Sequence, residues 1–254
     1  MNPDVCILGA GGFVGSNLAR FFGARACALT RGELNLLDQG AVDAFFAEKT
    51  FKTVFHCAVR GGSRMSQDQA DVLNDNLRMF ETVAKHSHKF ERLVYFSSGA
   101  RFDRSTNDVL SIPLDFYGFS KYIIEKRAES IANLFILRIY GCFGIGESAT
   151  RFLTVCAREK SIKIAQDRYF DFIWVDDVCR VAERYASCVE LLPKTADLVY
   201  SEKLLLSQLA ELTGAQYEVQ SSDLGQSYTG TYDDVLKLDN GLRKGVAVLV
   251  ASFP

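Results

Sequence analysis

A short apolar run, Val5-Cys6-Ile7-Leu8, ends at once in a glycine-rich segment, Gly9-Ala10-Gly11-Gly12-Phe13-Val14-Gly15, which opens a helical pattern from Phe13 to Phe22. Gly9, Gly12 and Gly15 fall at the spacing G-x-x-G-x-x-G. Gly9 permits a tight turn out of the strand, and Gly15 lets the helix pack closely on it. Gly12 lets backbone N–H groups at the helix N-terminus, where partial positive charge collects, approach a diphosphate. A strand before and a helix after predict a βαβ unit that holds a dinucleotide, with Phe13 and Val14 beside the same group.

The rhythm continues. Ala26–Thr30, Thr53–Ala58, Arg92–Ser97 and Leu134–Ile139 read as strands, and Ala41–Lys49, Asp71–His86 and Phe116–Ala132 as helices between them. Alternation of this kind predicts an α/β fold with a doubly wound parallel sheet and helices on both faces. After residue 141 the pattern loosens. Gly141, Gly144 and Gly146 predict a loop. Phe152–Lys160 and Leu204–Leu212 read as helices, and Ile173–Ala186 as a short strand followed by a helix. No repeat, low-complexity tract or proline-rich linker interrupts the chain. The expected division is a nucleotide-binding domain of residues 1–140 with about 171–190, and a small C-terminal lobe of about 141–170 with 191–254 closing over it.

Bulk properties exclude several classes. A net charge of -2 over 254 residues offers nothing to nucleic acid or an anionic membrane. No apolar run reaches membrane-spanning length. Met1-Asn2-Pro3-Asp4 lacks a basic n-region, so the start is not read as a signal peptide and a cytoplasmic protein is expected. The seven cysteines, Cys6, Cys27, Cys57, Cys142, Cys156, Cys179 and Cys188, are odd in number and contain no C-x-x-C. They read as reduced, buried thiols. His56, His86 and His88 are too few and scattered for a metal site.

Three further segments carry chemistry. The second strand ends Leu29-Thr30-Arg31 with no acid to meet the ribose hydroxyls of NAD. Arg31 instead suits the 2′-phosphate of NADP, the alternative being a solvated arginine. Asp38, just beyond, is a candidate for the adenine amino group. Arg92–Gly99 is a buried strand ending in hydroxyls, and ligands collect at the carboxyl ends of parallel strands. Ser98 there can donate to a substrate carbonyl or simply cap the next turn. Tyr117-Gly118-Phe119-Ser120-Lys121 sets a phenol and an ammonium on one helix face. A fixed cation lowers a tyrosine pKa from its usual ~10, which suits proton transfer near neutral pH.

Together GAGGFVG, FSSGARFD, YGFSK and FDFIWVDDV resemble the extended short-chain dehydrogenase/reductases that act on nucleotide sugars, the NAD-dependent epimerase/dehydratase family. LTRGELNLLDQGAVDAFF is similar to the corresponding segment of GDP-fucose synthase. The resemblance implies a Rossmann domain, bound NADP with NAD as the alternative, and a C-terminal lobe for an NDP-sugar. It implies catalytic roles for Ser98, Tyr117 and Lys121, with the last two also touching the cofactor. Ala58 matches the strand end that packs on the cofactor, and Asn76 the helix asparagine that buttresses the site. Arg138 and Phe143-Gly144-Ile145-Gly146 resemble the usual segment after the sixth strand.

Two departures refine the expectation. The segment after Ser98, which carries acid/base residues in epimerising and dehydrating members, reads Gly99-Ala100. Neither can move a carbon-bound proton. Phe170 stands where relatives often place an arginine against the diphosphate, so Arg151 or Arg168 is expected to substitute. The favoured expectation is NADPH-dependent reduction of carbon 4 of an NDP-4-keto-6-deoxy sugar, by a homodimer. A 4-epimerase, a bifunctional epimerase-reductase and a non-catalytic NADP(H) sensor or scaffold are the alternatives.

Overall fold

The computed structural model describes residues 3–63, 67–102, 111–187, 192–238 and 241–253. Along the chain the elements run β1 (Val5–Leu8), α1 (Phe13–Phe22), β2 (Ala26–Leu29), α2 (Gln39–Glu48), β3 (Thr53–His56), α3 (Ala70–Ala84), β4 (Arg92–Ser98), α4 (Phe116–Ala128) and β5 (Leu134–Ile139). There follow β6 (Gly141–Phe143), α5 (Phe152–Glu159), β7 (Ser161–Ile164), β8 (Phe172–Trp174), α6 (Val175–Ser187), β9 (Thr195–Asp197), α7 (Leu206–Leu212), β10 (Gln216–Val219) and α8 (Gly241–Ala251).

A six-stranded sheet has the order β2-β1-β3-β4-β5-β9. β1 pairs in parallel with β2 on one side and β3 on the other, and β3 pairs in parallel with β4. The chain therefore winds outward from β1 in both directions, and the reversal opens a crevice at the carboxyl ends of β1 and β3. The chain divides into two compact units, Met1–Arg138 with Val181–Ala196, and Ile139–Arg180 with Asp197–Pro254.

In the first unit, strand alternation sorts side chains to two faces. Cys6, Leu8, Val54, Leu93, Tyr95 and Ile136 join Val42 and Phe46 of α2, Phe80 and Val83 of α3, and Ile124 of α4 in one buried cluster. On the opposite face Phe55 meets Phe22 of α1 at 5.5 Å and Phe96 at 6.2 Å. Phe135 meets Tyr185 of α6 at 5.4 Å on that unit's edge. Helices thus cover both faces, as the near-continuous apolar strands require. This is the doubly wound Rossmann arrangement.

The second unit contains two small parallel pairs, β6 with β8 and β7 with β10. Phe170 stacks on Phe172 at 4.7 Å, and Tyr228 lies 4.9 Å from Phe170. The Asp171 carboxylate accepts from Lys203 at 2.7 Å and from the Gly230 N–H at 2.8 Å.

The structure departs from the sequence reading at several elements. Gly141 is not in a loop but in β6, where an added Cβ would sit 2.7 Å from the Phe172 ring. It is a packing glycine rather than a turn glycine. β7, β9 and β10 are three- or four-residue strands that the sequence reading passed over. β7 pairs in parallel with β10 from a distant segment, so no local turn marks either. α4 also stops at Ala128, four residues early, where the Ser130 hydroxyl donates to the Arg127 carbonyl at 2.9 Å.

The β1–α1 turn depends on missing side chains. A Cβ at Gly15 would lie 2.3 Å from the Gly9 carbonyl oxygen and 2.9 Å from its carbon. Gly15→Ala should destabilise the protein by roughly 1–3 kcal/mol through overpacking. Thermal melting checks this, and an unchanged melting temperature would contradict the close contact.

Candidate active site

The turn after β1 is a bare cradle. Gly9 adopts φ +86°, which favours glycine. The N–H groups of Gly9 and Ala10 both reach the Leu29 carbonyl at 2.9 Å, fixing the loop to β2. Gly12 is the N-cap of α1, with no side-chain cap and no acid in the first turn. Gly11 and Gly12 are exposed, and the nearest atom to an added Cβ on Gly12 is 3.5 Å away. An uncapped, glycine-lined helix N-terminus fits the diphosphate of a dinucleotide. Phe13 and Val14 are half-buried behind it. Ala58 follows β3 and packs beneath, since a Cβ on Gly9 would meet the Ala58 nitrogen at 2.5 Å.

At the end of β2, Arg31 is exposed and has no hydrogen-bond or ion-pair partner among the described residues. The sequence reading missed an acid here. Glu33 folds back so that its carboxylate accepts from both the Thr30 N–H and the Thr30 hydroxyl at 2.8 Å. Those bonds, the backbone one first, hold its carboxyl below the usual range. Only a turn of the backbone, not strand spacing, brings it to this edge. Asp38 is the N-cap of α2 and accepts from the Ala41 N–H at 3.0 Å. That bond uses one carboxylate oxygen of an exposed residue.

Ser98, Tyr117 and Lys121 all lie in the first unit. Ser98 ends β4, is buried, and accepts from the Ala100 N–H at 3.1 Å. The hydroxyl is the acceptor in that bond, so the bond does not consume its proton. Asp115 caps α4 through the Gly118 N–H at 2.7 Å and so sets Tyr117 in the first turn. Tyr117 is half-buried. A Cβ on Gly62, which has φ +75°, would meet the Tyr117 ring 2.8 Å from Cζ, so the loop after β3 lies against the phenol end. Asn76 fastens that loop to α4. It receives the Arg60 N–H at 2.8 Å and donates to the Arg60 carbonyl at 3.0 Å and the Ser120 hydroxyl at 3.1 Å.

Lys121 is 2% exposed, and its Nζ lies 5.6 Å from the centre of the Tyr117 ring. Its ammonium donates to the Tyr95 hydroxyl at 2.8 Å and the Phe96 carbonyl at 3.0 Å. Burial pushes its pKa down to about 7, against the attraction of Glu125 and Cys57. Burial therefore works against the charge that suits Lys121 to lower the Tyr117 pKa. One turn on, Glu125 accepts from Ser97 at 2.6 Å and pairs with Arg138 at 2.8 Å and Arg101 at 3.2 Å. His56 is buried, and its two ring nitrogens have no hydrogen-bond partner among the described residues. Burial first, then Lys121, holds it down to about 4, so it stays neutral. Tyr95, Glu125, Arg101 and His56 were not read from the sequence as site residues. Glu125 alone carried a signal there, four residues after Lys121 on the same helix face.

In the second unit, Phe170 is a buried core aromatic packed on Phe172 and Tyr228. Arg151 is committed to Glu147 at 3.2 Å. Arg168 is half-buried. Burial raises the Glu147 carboxyl to about 7, against Arg151 and Thr154. Burial also raises the Cys142 thiol well above its usual value, so it is not a thiolate. Six cysteines are free thiols, and Cys188 lies outside the described residues. No helix among the described residues is long and apolar enough to cross a membrane.

The buried lysine leaves a signature in stability. Its unfolded pKa is ~10.4, so between about pH 7 and 10 the unfolded chain binds more protons and stability rises with pH. Below pH 7 both states are protonated and the full penalty of burial is present. Lys121→Met removes that penalty, on the order of a few kcal/mol. Melting temperatures should favour the variant most at pH 6, with the difference shrinking toward pH 10. A difference independent of pH would contradict a depressed lysine.

Solved structures resemble this one along their whole length. A GDP-D-glycero-L-gluco-heptose synthase of Campylobacter jejuni, determined with NADPH, has a TM-score of 0.79 at 17% identity, covering 98% of this chain and 97% of its own. A dTDP-4-dehydrorhamnose reductase of Bacillus anthracis, in complex with NADP, has a TM-score of 0.79 at 17% identity, covering 98% and 99%. A UDP-glucose 4-epimerase of Thermotoga maritima, with UDP-glucose, has a TM-score of 0.77 at 16% identity, covering 99% of both chains. At such identities the likeness shows the fold. No curated protein matches the chain in sequence. The model of one family matches residues 5–192, the span that carries the glycine cradle, Ser98, Tyr117 and Lys121, and the chain belongs to the NAD dependent epimerase/dehydratase family.

Proposed function

We propose that the protein reduces the carbon-4 ketone of an NDP-4-keto-6-deoxy sugar with NADPH. The observation that carries this reading is the half-buried Tyr117 phenol on one helix face with a buried lysine, beside a strand that ends in Ser98 and runs on through Gly99 and Ala100. That set can serve an oxygen but has no titratable group next to Ser98 to serve a carbon acid. The described ligands and activities of the similar structures support a nucleotide-sugar substrate and a nicotinamide cofactor.

The bound cofactor supplies the hydride chemistry. The glycine cradle and α1 N-terminus hold its diphosphate, Ala58 packs on it, and Arg31 meets the 2′-phosphate. Asp38 keeps one carboxylate oxygen for the adenine amino group. Ser98 donates to the ketone oxygen and orients it. Tyr117 gives that oxygen its proton, and Lys121 steadies the phenolate left behind and binds the cofactor ribose. Arg168 is the better diphosphate candidate for the substrate, since Arg151 is already paired with Glu147. The reading includes a cytoplasmic homodimer.

A second reading, a bifunctional epimerase-reductase, has one observation in its favour. Glu147, raised to about 7, is a carboxyl able to take and return a proton. Purified protein with NADPH and a panel of NDP-4-keto sugars in D2O separates the readings. Stoichiometric NADPH consumption and no enzyme-dependent deuterium at carbons 3 and 5 are expected. Rapid deuterium entry would establish epimerisation, catalytic cofactor turnover a 4-epimerase, and binding without consumption a sensor or scaffold. Tyr117→Phe should lower kcat by ~10²–10⁴ while NADPH still binds.

Arg31→Ala should weaken NADPH by about 1.5–3 kcal/mol and leave NADH nearly unchanged, because it removes a charge-assisted contact to the 2′-phosphate. Titration calorimetry with both cofactors reads this. Equal loss for both, or a native preference for NADH set by Glu33, would refute the NADP assignment.

A further inference from the structure

We propose that Tyr95 is a positioning residue for the proton-transfer pair, its hydroxyl holding the Lys121 ammonium in register with Tyr117. The inference rests on the reading of Tyr117 and Lys121 given above.

Lys121 has three N–H donors. Two go to consecutive residues of β4, the Tyr95 hydroxyl at 2.8 Å and the Phe96 carbonyl at 3.0 Å. The same strand ends two residues later in Ser98. One strand therefore fixes both the lysine head and the substrate-orienting hydroxyl, and the long lysine stem has no freedom to wander.

Tyr95 also sits where an apolar ring would pack as well. It is 2% exposed in a cluster of aliphatic and aromatic side chains. Phe80 and His56 meet its ring edge-on, each at 5.4 Å. A phenylalanine would fill that space. What the hydroxyl adds is the bond from Lys121.

The chemistry of the partner matters too. Burial raises the Tyr95 phenol well above its usual pKa, with Tyr117 and Glu125 adding to this, so it remains neutral. A neutral acceptor fixes an ammonium without cancelling its charge. A carboxylate in the same place would neutralise Lys121 and leave Tyr117 with no net cation nearby. The carboxylate that is near, Glu125, is turned to Arg138, Arg101 and Ser97 instead. The groups facing Lys121 are then Tyr117 and Glu125 on its own helix, Tyr95 on β4, and His56 and Cys57 at the end of β3. Among them Tyr95 is the one that both touches the ammonium and stays uncharged.

The test reads Lys121 directly. Protein carrying 13C-labelled lysine is titrated by NMR, with the Lys121 signal assigned by its loss in Lys121→Met. The wild-type midpoint should lie near pH 7. In Tyr95→Phe the ammonium loses an acceptor that favours its charged form, and the midpoint should fall by about half a pH unit or more. The Tyr117-dependent limb of the kcat profile should move upward, with KM for the keto sugar near wild type. Tyr95→Met carries the same test if the ring variant does not fold. An unchanged Lys121 midpoint in a folded variant overturns the proposal. Absence of ketone reduction by the wild type, with the midpoint shift intact, overturns the function reading and leaves the Tyr95–Lys121 pairing standing.

Discussion

The carboxyl edge of the sheet is organised around a backbone-to-backbone contact, Gly15 of α1 against the carbonyl of Gly9. Because neither residue has a side chain, α1 starts almost on top of β1 and points its uncapped N-terminus across the crevice left by the winding reversal. Ala58 closes the other side through its own close approach to Gly9. Two strands, one helix and one bare turn thereby define where a diphosphate fits. Every other group at this edge is placed relative to that turn, through β2 by Leu29 and through β3 and β4 by strand pairing.

The electrostatics of this edge turn on one buried cation whose direct hydrogen-bond acceptors are neutral. Lys121 is buried among neutral acceptors and is depressed toward neutrality. Glu125, which could have cancelled it, is occupied by two arginines and a serine. His56 is kept neutral by the same burial. A cation that is desolvated and only partly compensated has a perturbed protonation equilibrium, and such groups gather where proton transfer takes place. The cost is tolerated because the surrounding sheet and α3–α4 packing fix the side chains that create it.

Much of this was legible in residue order. The glycine spacing and the strand–helix alternation through Ile139 follow from local periodicity, the four-residue spacing sets Tyr117 and Lys121 on one helix face, and α1 and β5 have the same bounds in sequence and structure. The second unit was less legible. Its strands are three or four residues long, and β10 finds β7 across more than fifty residues. Short parallel strands have no turn between them and too few positions for alternation to register. Gly141 illustrates the difficulty, since a glycine beneath a phenylalanine ring looks in sequence like a glycine in a turn.

The sequence by itself determined which backbone could be built and which side chains could do chemistry, because glycine, tyrosine and lysine spacing act over one or two helical turns. Tertiary structure alone decided how those side chains are charged and held. Lys121 meets Tyr95 only when α4 docks on β4, Glu33 reaches Thr30 only when the chain turns after β2, and Phe170 becomes core only when Phe172 and Tyr228 converge on it. The physical reason is that desolvation and hydrogen-bond partnership depend on what surrounds a group in space, and the partners that set them here, such as Tyr95 for Lys121 and Tyr228 for Phe170, lie tens of residues away in the chain.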